Sequence, residues 1–422
     1  MEFQTLKKSH LKRNIIIGIL VVGIISAIVL NFTRAKYRTT QSIPLVNGTI
    51  NYSLADLNIV AIVVDGKEVD TIPDGNYELT SESYCTVNGE KDNNVKLSYD
   101  SATKGLSVTP MTSKGTKCYL DFNKKSTLKD TILANNSVNS GTPNFANTAT
   151  TDEGVYKTQD DWGDSYYFRG AVTNNWVKFA GFYWRIIRIN GDGSIRLIYN
   201  GTSAKATGDS TMINSSQAFN SRYNRSEYVG YMYTMNKQHG NTTNSSIKEV
   251  LDGWYHNELL NYANQINTEG GFCGDRVSSN WSSQPNGEIY YEAYERLYDN
   301  KIPTLKCSNS LDLYTVSGSS EGNKALTNPI GLITADEVAM AGGVYGQTNE
   351  SYYLYTNSAY WTMSPCSFNA ANSYAGVFFV VSDGIPGNAN VNGTIGVRPV
   401  INLASNVTIR SGNGTSSTPY EI

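Results

Sequence analysis

The spacing of apolar and polar residues divides the chain into regions of different kinds. Residues 14–33 carry no charge, and 15–30 is nearly all Ile, Val, Leu, Gly and Ala. About 20 such residues span the hydrocarbon thickness of a bilayer as a helix. Residues 39–124 instead hold short β-branched and aromatic runs at 51–54, 59–64, 77–87, 95–99, 106–109 and 117–122. Asp65-Gly66, Asp74-Gly75, Asn88-Gly89 and Lys104-Gly105 separate them as turn signals, a pattern that predicts a small β-sandwich. Residues 125–153 are rich in Asn, Thr and Ser and predict a linker, with a short helix over 128–133.

From residue 154 onward strands are expected at 166–170, 176–179, 182–189 and 194–199, the last two joined by a turn at 190–193. In FYWRIIRI, bulky apolar and cationic residues alternate, placing Arg185 and Arg188 on different faces of a half-buried strand with an exposed edge. Ile247, Val250, Leu251, Trp254, Leu259, Tyr262 and Ile266 recur at helical spacing behind a Ser246/Glu249 capping box, predicting a helix over 246–266. A second box, Thr334 with Glu337, opens a shorter helix that stops at Gly342-Gly343.

The apolar stretch follows Lys7, Lys8, Lys12 and Arg13 and precedes Arg34, Lys36 and Arg38. A signal peptide starts in the same way, but no A-x-A follows the core, so an uncleaved anchor is expected. Flanking charge barely sets its orientation. The cysteines do, because none of the five forms a C-x-x-C pair, and their spacing pairs Cys85 with Cys118 and Cys273 with Cys307, leaving Cys366 over. Each bridge closes a loop of roughly 33 residues, contributing about 3 to 4 kcal/mol in the chain-entropy model. Such bonds require an oxidising, exported location. Residues 1–13 are thus expected in the cytoplasm, 14–33 in the membrane and the rest outside.

Only 17% of the 422 residues are charged, and a net charge of −3 offers no basic field for nucleic acid. The three His (His10, His239, His256) show no zinc-hydrolase spacing, and no G-x-S-x-G is present. Cys366 with His256 is a conceivable thiol pair. Asp160, Asp161 and Asp164 around Trp162, with Asp275, suit a glycosidase pair, a calcium loop or a solvated turn. Asp336 and Glu337 suit catalysis or metal binding, although acids are favoured in a first helical turn for electrostatic reasons alone.

The stretch 360–403 runs from an aromatic strand through a segment crowded with Asn, Gly, Ser and Asp to VRPVINL. That layout mounts a polar face on a rigid sheet. Tyr360, Trp361, Asn372, Tyr374, Asp383, Asn388 and Asn390 are the candidate ligand contacts, the aromatics for stacking and the amides and acid for hydrogen bonds or a calcium seat. No cofactor is called for.

SYYFRGAVTNNWVKFAGFYWRIIRINGDGSIRLI, IKEVLDGWYHNELLNYANQI with FCGDR, PIGLITADEVAMAGG, YWTMSP and GVRPVINL together resemble uncharacterised membrane-anchored surface proteins of Gram-positive, largely gut, bacteria. More remotely, two helices beside a twisted sheet ending in GVRPV are similar to the C-type-lectin architecture, formylglycine-generating-enzyme-like branch, with Arg398 at the terminal-strand arginine. The enzymatic members need a reactive cysteine pair, and only Cys366 lies nearby. The resemblance therefore implies a multidomain chain: transmembrane anchor, β-sandwich stalk over 39–124, and a C-type-lectin-like α+β domain over 154–422. It implies an adhesin-like surface protein whose loops at 369–392 bind a glycan or a surface protein. A cell-envelope hydrolase or formylglycine-type modifier, and a structural envelope subunit, are the alternatives.

Overall fold

The computed structural model describes residues 57–101, 103–109 and 115–422. The expected cytoplasmic segment, the anchor at 14–33 and the strand at 51–54 lie outside them. Among the described residues no helix is long and apolar enough to cross a membrane. The chain forms two compact units that meet in sequence between Lys125 and Ser126.

The first unit is all β. Its strands are β1 (Leu57–Val64), β2 (Lys67–Val69), β3 (Tyr77–Leu79), β4 (Tyr84–Val87), β5 (Glu90–Lys91), β6 (Lys96–Asp100), β7 (Gly105–Thr109) and β8 (Thr116–Lys124). The order β2-β1-β8-β4-β5, with β3 also on β8, makes one six-stranded sheet, and β6-β7 is a separate hairpin. Strand β8 sets the core by alternation: Thr116, Cys118, Leu120 and Phe122 are buried while the residues between them are not. Leu106 and Val108 of the hairpin join that core. Strand β1 lies parallel to β8. The expected single strand at 77–87 is two strands, because the intervening turn is tied down by Thr80 and Ser83 bonding to Asp121. Cys85 and Cys118 are register partners on β4 and β8 and form a disulfide, as their spacing indicates.

The second unit starts where a linker is expected. Helix α1 (Leu128–Asn135) opens on a Thr127/Asp130 capping box and buries Leu128 and Ile132. Two buried residues four apart are enough to dock a short helix, however polar its flanks. The strands that follow are β9 (Val138–Asn139), β10 (Asp152–Asp160), β11 (Gly163–Gly170), β12 (Trp176–Phe179), β13 (Phe182–Ile189) and β14 (Ile195–Tyr199). Further on come β15 (Glu288–Tyr290), β16 (Tyr360–Asn369), β17 (Tyr374–Val380), β18 (Pro386–Asn390), β19 (Val400–Leu403) and β20 (Tyr420–Glu421). One sheet runs β19-β14-β13-β11-β10-β9, with β12 and β20 attached, and another runs β15-β16-β17-β18.

Strand β13 is interior, which corrects the expected half-buried edge. Arg185 bonds Asn175 and the Val172 carbonyl and lies between the rings of Trp176 and Tyr353. Arg188 pairs with Asp160 and Glu337. Both are buried, and a bulge between Ile186 and Arg188 sets them opposite Ile198 and Arg196, two positions apart on β14, so they share one face of the strand instead of the expected two, each supplied with partners.

Helix α2 (Ser246–Glu258) is capped one residue earlier than expected, by Ser245, and gives way to a 3₁₀ turn over Leu260–Gln265. Helix α3 (Ala335–Ala341) has the expected Thr334/Glu337 box and ends at Gly342 with φ of 122°. A Cβ on Gly342 would also press on the Ala149 side chain, so glycine is required there. The second disulfide, Cys273–Cys307, is present, and Cys366 is buried and free.

Candidate functional site

The sheet β15-β16-β17-β18 has one apolar and one polar-aromatic face. Ile289, Phe368, Ala375 and Val377 point into the main core. Successive strand residues alternate sides, so the opposite face is fixed by register: Tyr290 beside Ser367, Ser367 beside Gly376, Gly376 beside Asn390, Phe378 beside Asn388, and Asn369 beside Tyr374. Tyr374, Asn388 and Asn390, three of the expected contacts, therefore share a surface. Gly376 is its low point: a Cβ there would run into both the Asn388 amide and the Tyr374 ring. Asn388 donates to Ser367 Oγ at 3.3 Å. Asn388 Oδ1 and Asn390 Oδ1 have no hydrogen-bond donor.

Next to this face stands a row of tyrosines that the expected site does not include. An α-turn over Glu292–Tyr294 continues into a π-helical stretch, Glu295–Asn300, a form that recurs at functional sites. Tyr290 and Tyr294 have ring centroids 4.5 Å apart, and Tyr294 and Tyr298 stack at 4.8 Å. Tyr345 meets Tyr298 edge-on at 5.0 Å and continues to Phe378 at 6.1 Å. Tyr290 is 38% and Tyr298 45% exposed, values far above those of core tyrosines. A tyrosine every fourth residue at 290, 294 and 298 is the signal that could have found it.

The hydroxyls of Tyr290, Tyr294 and Tyr374 are held protonated. Tyr290 donates to Glu288 Oε2 at 2.7 Å, and that bond, more than its burial, pushes its pKa up to about 12. Burial raises Tyr294 and Tyr374 to about 12. The Cys366 thiol lies within electrostatic reach of Tyr290, Tyr345 and Tyr374. It packs with Ala293, Leu297 and Phe378, and burial holds it protonated, which is not the state of an attacking nucleophile.

The other expected contacts lie elsewhere. Tyr360 and Trp361 are fully buried, which corrects their reading as ligand contacts. The Tyr360 hydroxyl donates to the Leu354 carbonyl and its ring lies under the Arg398 guanidinium. Trp361 Nε1 donates to the Gln217 carbonyl, and its ring meets Phe219 edge-on. Asn372 is exposed in the β16–β17 turn, and Asp383 sits in the β17–β18 turn at the far end of the strand, bonding Ile385 N. The two cannot form one seat, since a seven-residue strand separates them by roughly 20 Å. Arg398 is also interior, donating to the Tyr199 and Leu354 carbonyls and to Asn200.

The candidate acids form a separate, buried network. Arg188 bridges Asp160 at 2.5 Å and Glu337 at 2.9 Å, and Glu337 also takes Arg196 at 2.5 Å. Arg296 joins Asp275 at 2.7 Å and Asp336 at 2.9 Å. Asp161 accepts from Cys307 N. Burial pushes both Asp161 and Asp275 up to about 6. Asp164 is apart, on the surface with Lys157. Asp161, Asp275, Asp336 and Glu337, with Arg188, Arg196 and Arg296, line a cavity of about 20 Å³, room for roughly one water and not for a sugar ring. Among the described residues no group of three or more His, Cys, Asp or Glu is placed to hold a metal ion. His239 bonds Asp312, itself paired with Arg276, while His256 is exposed on α2. The first His, His10, lies outside the described residues. Comparison with protein-family models, curated proteins and solved structures finds no match to this chain.

Proposed function

We propose that this chain is an exported, membrane-anchored surface protein whose second unit, of C-type-lectin-like character, binds glycans on the tyrosine and amide face of β15-β16-β17-β18. The carrying observation is the stacked row Tyr290–Tyr294–Tyr298 leading through Tyr345 to a sheet face that bears Tyr374, Asn388 and Asn390. Sugars offer apolar C–H faces to aromatic rings and hydroxyls to amides, which is the mixture found here. Two disulfides support export. The test is a glycan array probed with the chain from residue 39 onward, with calcium and with chelator. Selective binding that survives chelation is expected, whereas binding to no glycan would overturn the reading.

A further inference from the structure

The tyrosine row ends in a cation. Lys301 closes the π-helical stretch in the left-handed conformation, with φ of 54° and ψ of 42°. Its Nζ lies 5.7 Å from the centre of the Tyr298 ring and donates to the Leu297 carbonyl at 3.0 Å. Those two contacts hold the ammonium at the end of the row while engaging one of its three hydrogens. The side chain is half-buried, and burial lowers its pKa. Among the described residues Lys301 makes no ion pair, and Asp299 acts on it only at longer range. A cation drawn partly out of water without a counter-ion is unfavourable, and an anion brought to it offsets that cost.

Lys301 also stands where two hollows meet. A narrow gap runs from Tyr345, the ring that meets Tyr298 edge-on, to Phe145, Lys301 and Pro303. The same three residues line the next hollow, a cleft of about 290 Å³, close to the lower size of ligand pockets. The row and the cleft are therefore contiguous through Lys301. Ile302 adds to the apolar wall, and at 66% it is the most exposed large apolar side chain among the described residues. Thr142 and Thr158 supply hydroxyls. Lys157 lines the cleft too, but Asp164 already neutralises it at 2.7 Å. Lys301 is the cation left for a ligand.

We infer that the glycan bound at the tyrosine row is an acidic one, with the anionic group of one sugar seated in this cleft against Lys301. This rests on glycan binding at the row and names the class of glycan. The rings take the apolar sugar faces, and the remaining N–H groups of Lys301 donate to the anion. An ammonium is a compact point charge that accepts a carboxylate or a sulfate equally well, so the two sources of charge are separated by experiment.

The test uses the full chain, held in a detergent without a sugar headgroup, on an array that sets carboxylated glycans beside their carboxyl-reduced parents and sulfated glycans beside their desulfated parents. At least one acidic class is expected to bind about tenfold more tightly than its neutral parent, and to lose that advantage as salt rises from about 0.1 M to about 1 M. Lys301→Gln keeps a polar head and is expected to lower affinity for the acidic glycan about tenfold, with the neutral parent unchanged. Lys301→Arg, which keeps the charge, should retain the preference. Lys324→Gln makes the same change at another lysine of left-handed conformation that does not line the cleft, and should alter nothing. Equal affinity for acidic and neutral glycans, or an acidic preference that survives Lys301→Gln, would overturn the role of Lys301 and leave stacking on the tyrosine row standing. Binding to no glycan would overturn both.

Discussion

Asp161 and Asp275 are the residues whose environment the solution pH reads most directly. Burial raises both to about 6 from an ordinary 3.8, so between those values the folded chain binds more protons than the unfolded one. Stability must then fall as pH rises from about 4 to about 6.5, each group contributing at most about 1.4 kcal/mol for every pH step of one, and the partly solvated Asp161 less. Thermal melts of the second unit should lose midpoint across that window, and Asp161→Asn with Asp275→Asn should flatten the slope. Midpoints that rise over the same range would refute this. Glu337 and Asp312 act with the opposite sign, since their guanidinium partners hold them low and their contribution is lost only in stronger acid. Arg188→Ala strips the partner from both Asp160 and Glu337, and a loss of about 3 to 5 kcal/mol by denaturant titration is expected for such an orphaned buried pair. None of this is legible in the sequence. Arg185 and Arg188 read as an edge pattern because partners such as Asp160 and Glu337 lie far away along the chain, and alternation alone does not distinguish an outward cation from a paired inward one.

At the scale of elements, what is local is readable and what is shared between segments is not. The Thr334/Glu337 box and the Gly342 stop of α3 involve only neighbours, so residue type and spacing suffice. Thr334→Ala should cost about 1 kcal/mol, measured by chemical denaturation; no change would mean that packing alone holds the helix. Helix α1 is expected over 128–133 and found over Leu128–Asn135, but the stretch around it reads as a linker because two buried residues are too few to stand out among Asn, Ser and Thr. The cap of α2 falls one residue away from its expected place, as two adjacent serines offer the same chemistry. Disulfide partners are legible because roughly equal spacing gives one bridge per unit. Reducing the Cys273–Cys307 bond, which adjoins the buried acids, should lower the unfolding free energy of the second unit by about 3 kcal/mol.

For the whole molecule, the sequence divides into a small β unit and a larger mixed one, and the structure places the join at Lys125–Ser126, at the very start of the segment that reads as a linker. The polar stretch 369–392 forms the expected hairpin on a sheet, yet only one side of that hairpin faces outward with its amides. Period-two alternation allots Tyr374, Asn388 and Asn390 to that side, but which side is covered depends on Ile289 and the rest of the core. The tyrosine row is hard to connect with this hairpin from sequence because it enters from another part of the chain. Its recognition role is measured most directly by isothermal titration of a glycan ligand into the wild-type chain and into Tyr290→Ala/Tyr298→Ala, with Asp383→Ala as a control at the far turn. At least a tenfold loss of affinity is expected in the tyrosine variant, since stacked aromatics contribute on the order of 1 kcal/mol each beyond their area, and none in the control. Unchanged affinity in the tyrosine variant, or a loss confined to Asp383→Ala, would contradict it.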